Sequence, residues 1–285
     1  MAGDAEQQLR AYVEYFRDMG IHDFYRRGEP LAIESVETAA AIVAAELLPV
    51  AVEPAPVAIA AALPSSHGLQ EPAIPKLISF DDLAPLPQSS IPVAEREAAM
   101  QAIRDEIGDC TRCPLAYAGR RNIVFGDGNP GARLMFVGEG PGADEDASGV
   151  PFVGKAGQLL NNMIGAMGLK REEVYIANIV KCRPPANRVP EPVEANTCTQ
   201  FLVKQIDVVQ PEVIVALGAT AATYLLGVKQ SLASLRGTWH SCRGAKVAVT
   251  YHPAFLLRDP RQKGEAWKDL QRVMAEMGLK PPAKA

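Results

Sequence analysis

No run of about 18 uninterrupted apolar residues occurs in this 285-residue chain, so no membrane-spanning helix is expected. The N-terminus, MAGDAEQQLR, lacks the basic-then-apolar layout of a secretory signal. The apolar run Ala39–Leu48 is short and broken by Glu46. A cytoplasmic protein is therefore expected. Cysteine is scarce, five residues in all, and a reducing compartment would leave these without a disulfide framework; a metal or redox role is the alternative to no role. There is no internal repeat. Histidine is scarcer still, with four residues; His22 and His67 fall in the N-terminal region and His240 in an expected loop, and none of the three is assigned a role.

A strong charge of one sign is also missing, since the net charge is only −4. The balance is uneven along the chain. Residues 1–95 hold 5 Lys+Arg against 14 Asp+Glu, and residues 96–285 hold 24 against 19. An acidic leader of −9 thus precedes a body of +5, and a basic body can attract phosphate. Within the leader, residues 8–28 carry apolar positions at helical spacing and predict one amphipathic helix. From about 30 to 93 the chain is rich in Ala, Val and Pro, with nine prolines from Pro49 to Pro92. Proline removes donors and fixes φ, which predicts an extended, largely disordered linker. The expected organisation is a leader over 1–95 and a folded domain over 96–285.

In that domain short apolar runs alternate with helical patterns. Strands are expected at Leu134–Val137, Val174–Val180, Val213–Leu217 and Lys246–Tyr251. Helices are expected at Val93–Ile107, Ala156–Met167, Pro192–Val209, Ala219–Leu226 and Gly264–Met277. Apolar strands separated by helices predict an α/β fold, a central parallel four-stranded sheet with helices on both faces. Ligands in such sheets bind beyond the strand C-terminal ends, which makes the polar residues there the ones to weigh.

The first strand runs into Gly138-Glu139-Gly140-Pro141-Gly142, then Asp144-Glu145-Asp146 and Pro151-Phe152. The glycines allow close backbone approach to a ligand, but the dinucleotide-binding spacing is not met and the acidic residues argue against a phosphate cradle. Alone, this segment could be a plain tight turn. The second strand ends at Asn178, whose amide can read a base edge as donor and acceptor, though an isolated Asn more often satisfies local backbone. The last strand delivers His252, followed by Pro253, placed to donate into a pocket, though a lone His is more often structural. Cys110 and Cys113 form a CxxC; Cys182 and Cys198 follow, with 15 residues between them. Four thiolates can hold a [4Fe–4S] cluster or a structural zinc; spacing leaves both open. Cys242 is left over as a free thiol.

Together these segments resemble the family-four uracil-DNA glycosylases, the iron–sulfur branch of their superfamily. The matching text is VGEGPGADEDASGVPFVGKAGQLL at 137–160, YIANIVKCRPPANRVP at 175–190, LGATAATYLLG at 217–227 and YHPAFLLR at 251–258, in unbroken order over roughly 96–280. The resemblance implies a base-excision repair enzyme that flips uracil out of DNA and hydrolyses its N-glycosidic bond, leaving an abasic site. It implies that Phe152 stacks on the uracil and Asn178 reads its edge, with Gly138, Gly140 and Glu145 lining the pocket. His252 would donate to a uracil oxygen, and Glu139 would position water or offset the sugar cation. Cys110, Cys113, Cys182 and Cys198 would bind [4Fe–4S] rather than zinc, in a structural role. Lys181, Arg183 and Arg258 are candidate phosphate contacts, and Phe255 or Leu256 a candidate wedge. The implied partner is uracil-containing DNA, with a replication or repair protein as a candidate partner of the leader; a monomer is expected. The leader falls outside the resemblance. A related branch that captures DNA covalently has a His-containing insertion after the second strand; this chain has CRPPANRVP there, so capture is not expected. Two other readings stand beside this one: the same fold acting on other deaminated or oxidised bases, and an iron–sulfur module without catalysis.

Overall fold

The computed structural model describes residues 77–280; the helix expected over 8–28 and the linker up to residue 76 lie outside the described residues. Six strands form one sheet: β1 (Asp127–Gly128), β2 (Leu134–Gly138), β3 (Tyr175–Asn178), β4 (Val213–Leu217), β5 (His240–Cys242) and β6 (Ala245–Thr250). Nine α-helices accompany them among the described residues: α1 (Phe80–Leu83), α2 (Val93–Ile107), α3 (Ala143–Ser148), α4 (Lys155–Ala166), α5 (Pro192–Val209), α6 (Ala219–Leu226), α7 (Leu232–Leu235), α8 (Pro253–Arg258) and α9 (Lys263–Met277). None of the helices among these residues is long and apolar enough to cross a membrane.

The sheet order is β1-β3-β2-β4-β6-β5. The inner four strands are parallel, as expected, but the sheet is mixed and six-stranded, because β1 and β5 run antiparallel at its edges. The expectation of a purely parallel four-stranded sheet is corrected at both edges. Strands of two and three residues carry too little apolar sequence to announce themselves.

Side chains alternate across the sheet and bury it on both sides. On β2, Met135 and Val137 face a core shared with α2, α5 and α6, while Leu134 and Phe136 face a second core shared with α4, α8 and α9. The chain enters the parallel set at β2, passes to β3 on one side, then crosses to β4 and β6 on the other. That reversal opens a crevice at the strand C-terminal ends. Gly138 pairs in register with Asn178, and Leu217 with Thr250, so the residues just beyond all four strands share one rim.

Residues 77–92 depart from the expected extended linker. Phe80 is fully buried. The Arg243 side chain donates to the carbonyls of Phe80, Ala84 and Pro85 and pairs with Asp207 at 2.6 Å, while its main-chain N–H donates to Asp81 at 2.6 Å. The prolines here mark a strap tied to the body.

Candidate active site

A cleft of about 570 Å³ opens at the rim of the sheet, and Glu139, Asn178, Phe152 and His252 all line it. Each comes from a different strand end or from the loop after β2, so the parallel sheet alone brings together residues more than a hundred positions apart.

Asn178 forms the floor. It is 1% exposed, and its Oδ1 finds no hydrogen-bond partner among the described residues. A buried amide oxygen without a partner is destabilising by about 1–3 kcal/mol, and such groups are rare enough to require a reason. Beside it, Gly138 is held to glycine by packing: a Cβ there would lie 2.4 Å from Asn178 Oδ1 and 2.6 Å from the Phe152 ring. The missing side chain lets Phe152 lie against the end of β2, next to the orphaned amide. A flat face and an unpaired polar edge are thus presented together.

His252 stands next to Phe152, with ring centroids 5.6 Å apart and planes tilted by 33°. Its Nδ1 accepts from the Ala254 N–H at 3.1 Å, capping α8. An acceptor Nδ1 places the ring proton on Nε2. Desolvation by burial, with the nearby positive charge of Arg258, pushes the His252 pKa from 6.5 down to about 4, against the opposing pull of Glu145. The imidazole is therefore a neutral donor at physiological pH.

Glu139 accepts a hydrogen bond from the Thr220 hydroxyl. Thr220 lies in the first turn of α6, immediately beyond β4, and sequence reasoning missed it. The signal for it is the Gly218-Ala219-Thr220 segment at the end of β4, at the same rim as the ends of β2, β3 and β6. Glu145 lines the cleft, but its carboxylate is occupied. It accepts from Gly142 N at 3.0 Å, Val153 N at 3.0 Å and Gly154 N at 3.1 Å, and so ties the two halves of the loop around Phe152. Gly140 also lines the cleft; a Cβ there would meet Val180 at 2.7 Å.

The basic residues divide. Arg258 is exposed and lines the cleft. Arg183 is half-buried, donates to Asn187 Oδ1 at 2.8 Å, and lies outside the cleft lining. Lys181 cannot contact phosphate. It is 1% exposed, and its Nζ donates to Asn178 O at 3.1 Å and Gln205 Oε1 at 2.6 Å. Burial lowers its pKa to about 8, and its work is to brace the strand end that carries Asn178. The expected DNA contact at Lys181 is corrected on that ground. Leu256 is likewise buried in the core and cannot wedge; Phe255 stacks on Tyr251 at 5.1 Å, leaving Leu257 as the exposed apolar residue of α8.

Cys110, Cys113, Cys182 and Cys198 line one small pocket with Ile107, Ile123 and Phe201. The set joins the segment after α2 to the β3–α5 connection and to α5 itself, which carries Cys198. Three of the sulfurs receive N–H donors at 3.3 Å: Cys110 from Arg112, Cys182 from Arg120 and Cys198 from the Lys181 amide. Burial pushes the Cys198 thiol up to about 12 and also raises Cys113 and Cys182; a cationic centre would reverse this by displacing the protons. Among the described residues, no three His, Cys, Asp or Glu are close enough to hold one metal ion together. Cys242 is buried on β5, apart from this set.

Residues 125–271 match the model of the uracil DNA glycosylase superfamily. A type-4 uracil-DNA glycosylase of Thermotoga maritima is 48% identical over 185 residues, which cover 64% of this chain and 92% of that protein. Proteins of the same name from Pyrobaculum aerophilum and Archaeoglobus fulgidus are 42% and 40% identical, over 60% and 62% of this chain and 91% and 92% of their own lengths.

Proposed function

The chain belongs to the uracil DNA glycosylase superfamily, among its type-4 members, and from that premise we propose that Glu139, Phe152, Asn178 and His252 form the site at which it works. It is a uracil-DNA glycosylase: its substrate is uracil-containing DNA and its reaction is hydrolysis of the bond between uracil and deoxyribose. One observation carries the assignment of the site. The unpaired Asn178 amide lies on the floor of the cleft beside a flat aromatic ring, which is what an extruded pyrimidine requires.

Uracil must leave the stack to reach this floor, which costs a few kcal/mol and is cheapest at a mispaired base. The Phe152 ring supplies a stacking face, and the Asn178 amide pairs with the base edge as donor and acceptor. As the C1′–N1 bond breaks, positive charge gathers on the sugar and negative charge on the departing uracil. His252 Nε2–H donates to a uracil oxygen and stabilises the anion without having to lose a proton. The Glu139 carboxylate, steadied by Thr220, offsets the sugar cation and orients the water. That water delivers hydroxide to C1′ and its proton ends on uracil. Arg258 and Lys155, both exposed and lining the cleft, are the basic residues placed to meet a flanking phosphate. On composition alone, the acidic leader is the candidate attachment for a replication or repair protein.

The four cysteines fit a [4Fe–4S] cluster. Its iron sites would be held by Cys110, Cys113, Cys182 and Cys198, in an apolar pocket with N–H donors aimed at three sulfurs. Zinc would draw the same four thiolates to about 2.3 Å from one ion, and the metal content of the purified protein separates the two. When bound, the cluster supplies a rigid crosslink between α2 and the β3–α5 connection.

Two measurements test this reading. Incubation with a uracil-containing duplex followed by alkali is expected to break the strand at the uracil; an intact strand would contradict the reading, and parallel hypoxanthine and xanthine duplexes decide whether the pocket is selective. The purified protein is expected to be brown and to contain about four irons per chain. Removing them with a chelator is expected to lower both Tm and activity. A colourless protein containing zinc would overturn the cofactor assignment.

A further inference from the structure

We propose that Arg171 is a positioning residue that holds Phe152 as a preformed platform for the extruded base; this rests on the stacking role given to Phe152 above. Phe152 has φ +52°, in the left-handed region that bulky L-residues avoid. A residue kept there needs surroundings that over-determine it, and such outliers gather where a ligand is clamped.

The carbonyls of Pro151 and Phe152 and the two N–H groups that follow are tied down. Arg171 Nη2 donates to Pro151 O at 2.6 Å and Nη1 to Phe152 O at 3.1 Å. On the other side, the N–H groups of Val153 and Gly154 donate to Glu145. Behind the turn, α4 closes so tightly that a Cβ on Gly157 would lie 1.9 Å from Phe152 O. The aromatic ring, 5% exposed and set beside His252, is the part that lines the cleft.

Arg171 is itself aimed. Its Nε donates to Asp127 Oδ2 on β1 at 3.1 Å, and its Nη1 also reaches Asn161 Oδ1 on α4 at 3.0 Å. Two carbonyls, a carboxylate and an amide therefore share one planar fork. Lysine offers a single point charge on a flexible stem and cannot make this pattern. The consequence is preorganisation: a base entering the cleft meets a ring already in place, and its binding free energy is not lost to ordering the loop.

A double-mutant cycle on the full chain tests this, with free uracil as the probe, read by calorimetry and by inhibition of the glycosylase reaction. Arg171→Lys is expected to weaken uracil binding about tenfold, within the range of coupling between residues in one network, while still melting cooperatively. In a Phe152→Ala background the same substitution is expected to change uracil affinity less than twofold, because the platform it serves is gone. Equal effects in both backgrounds, or none in either, would overturn the proposal while leaving the site intact. A Phe152→Ala variant that binds uracil normally would remove the stacking role and the proposal with it. Should Arg171→Lys fail to fold, Asn161→Ala and Asp127→Asn keep the arginine but remove its anchors, and the same cycle applies.

Discussion

Replacing His252 with alanine is expected to lower kcat/KM on uracil-containing DNA by about 10²–10³, the loss usual for one preorganised donor. The reason lies in which nitrogen holds the proton. Nδ1 is engaged by the Ala254 amide, so Nε2–H faces the cleft, and desolvation keeps the ring neutral down to about pH 4. The activity of the parent protein should show no step near pH 6.5 from this residue, because its protonation, which breaks the Nδ1 cap on α8, falls near pH 4. Stability follows the same shift. The folded pKa lies below the unfolded value of 6.5, so below about pH 6.5 the unfolded chain takes up a proton that the folded chain refuses. His252 therefore destabilises the fold increasingly as pH falls from 6.5 towards 4, and the alanine variant lacks that slope. At neutral pH the variant loses a helix cap of about 0.5–2 kcal/mol, which should lower Tm by only a few degrees. Circular dichroism beside single-turnover kinetics separates the two effects. An activity loss under about threefold would remove His252 from the chemistry.

Asn178→Leu is expected to raise stability while abolishing most activity. The two side chains have the same number of heavy atoms and the same branching at Cγ, so leucine is the apolar replacement that disturbs the packing of Gly138 and Phe152 least. The substitution removes a buried oxygen that has no partner among the described residues, worth about 1–3 kcal/mol when left unsatisfied. In a domain of this size each kcal/mol moves Tm by about 2–4 °C, so Tm should rise by several degrees. The same change deletes the donor and acceptor proposed to read the uracil edge, and kcat/KM should fall by about 10²–10³ or more, as polar recognition sites lose strongly when a partner is missing. Such opposition is what a binding group kept at the expense of stability produces. Differential scanning calorimetry and the alkali-cleavage assay measure the two halves. A variant that is both less stable and active would show that Asn178 serves the fold instead.

Much of this architecture was legible because the parallel sheet writes itself as apolar runs. Strands β2, β3, β4 and β6 each bury their side chains on both faces, and the residues after β2, β3 and β6 were found by following those runs to their ends. The edge strands escaped because β1 is two residues of Asp and Gly. Lys181 was misread because a lysine beside cysteine and arginine resembles a basic surface. Its real partners are a neutral glutamine 24 positions away and a backbone carbonyl, and neither leaves a charge pattern. The segment 77–92 was misread for a similar reason. Its prolines are visible in the sequence, but Arg243, more than 150 positions later, is what binds it. Arg171 illustrates the general difficulty: its fork acts through carbonyls, which any residue could supply.

The most direct measurement is a crystal structure of the protein with free uracil in the cleft. The base is expected to lie on the Phe152 ring, with its edge about 2.7–3.2 Å from the Asn178 amide and a carbonyl oxygen at the same range from His252 Nε2. Uracil bound elsewhere, or in the cleft with Asn178 Oδ1 still unpaired, would contradict the assignment of this site.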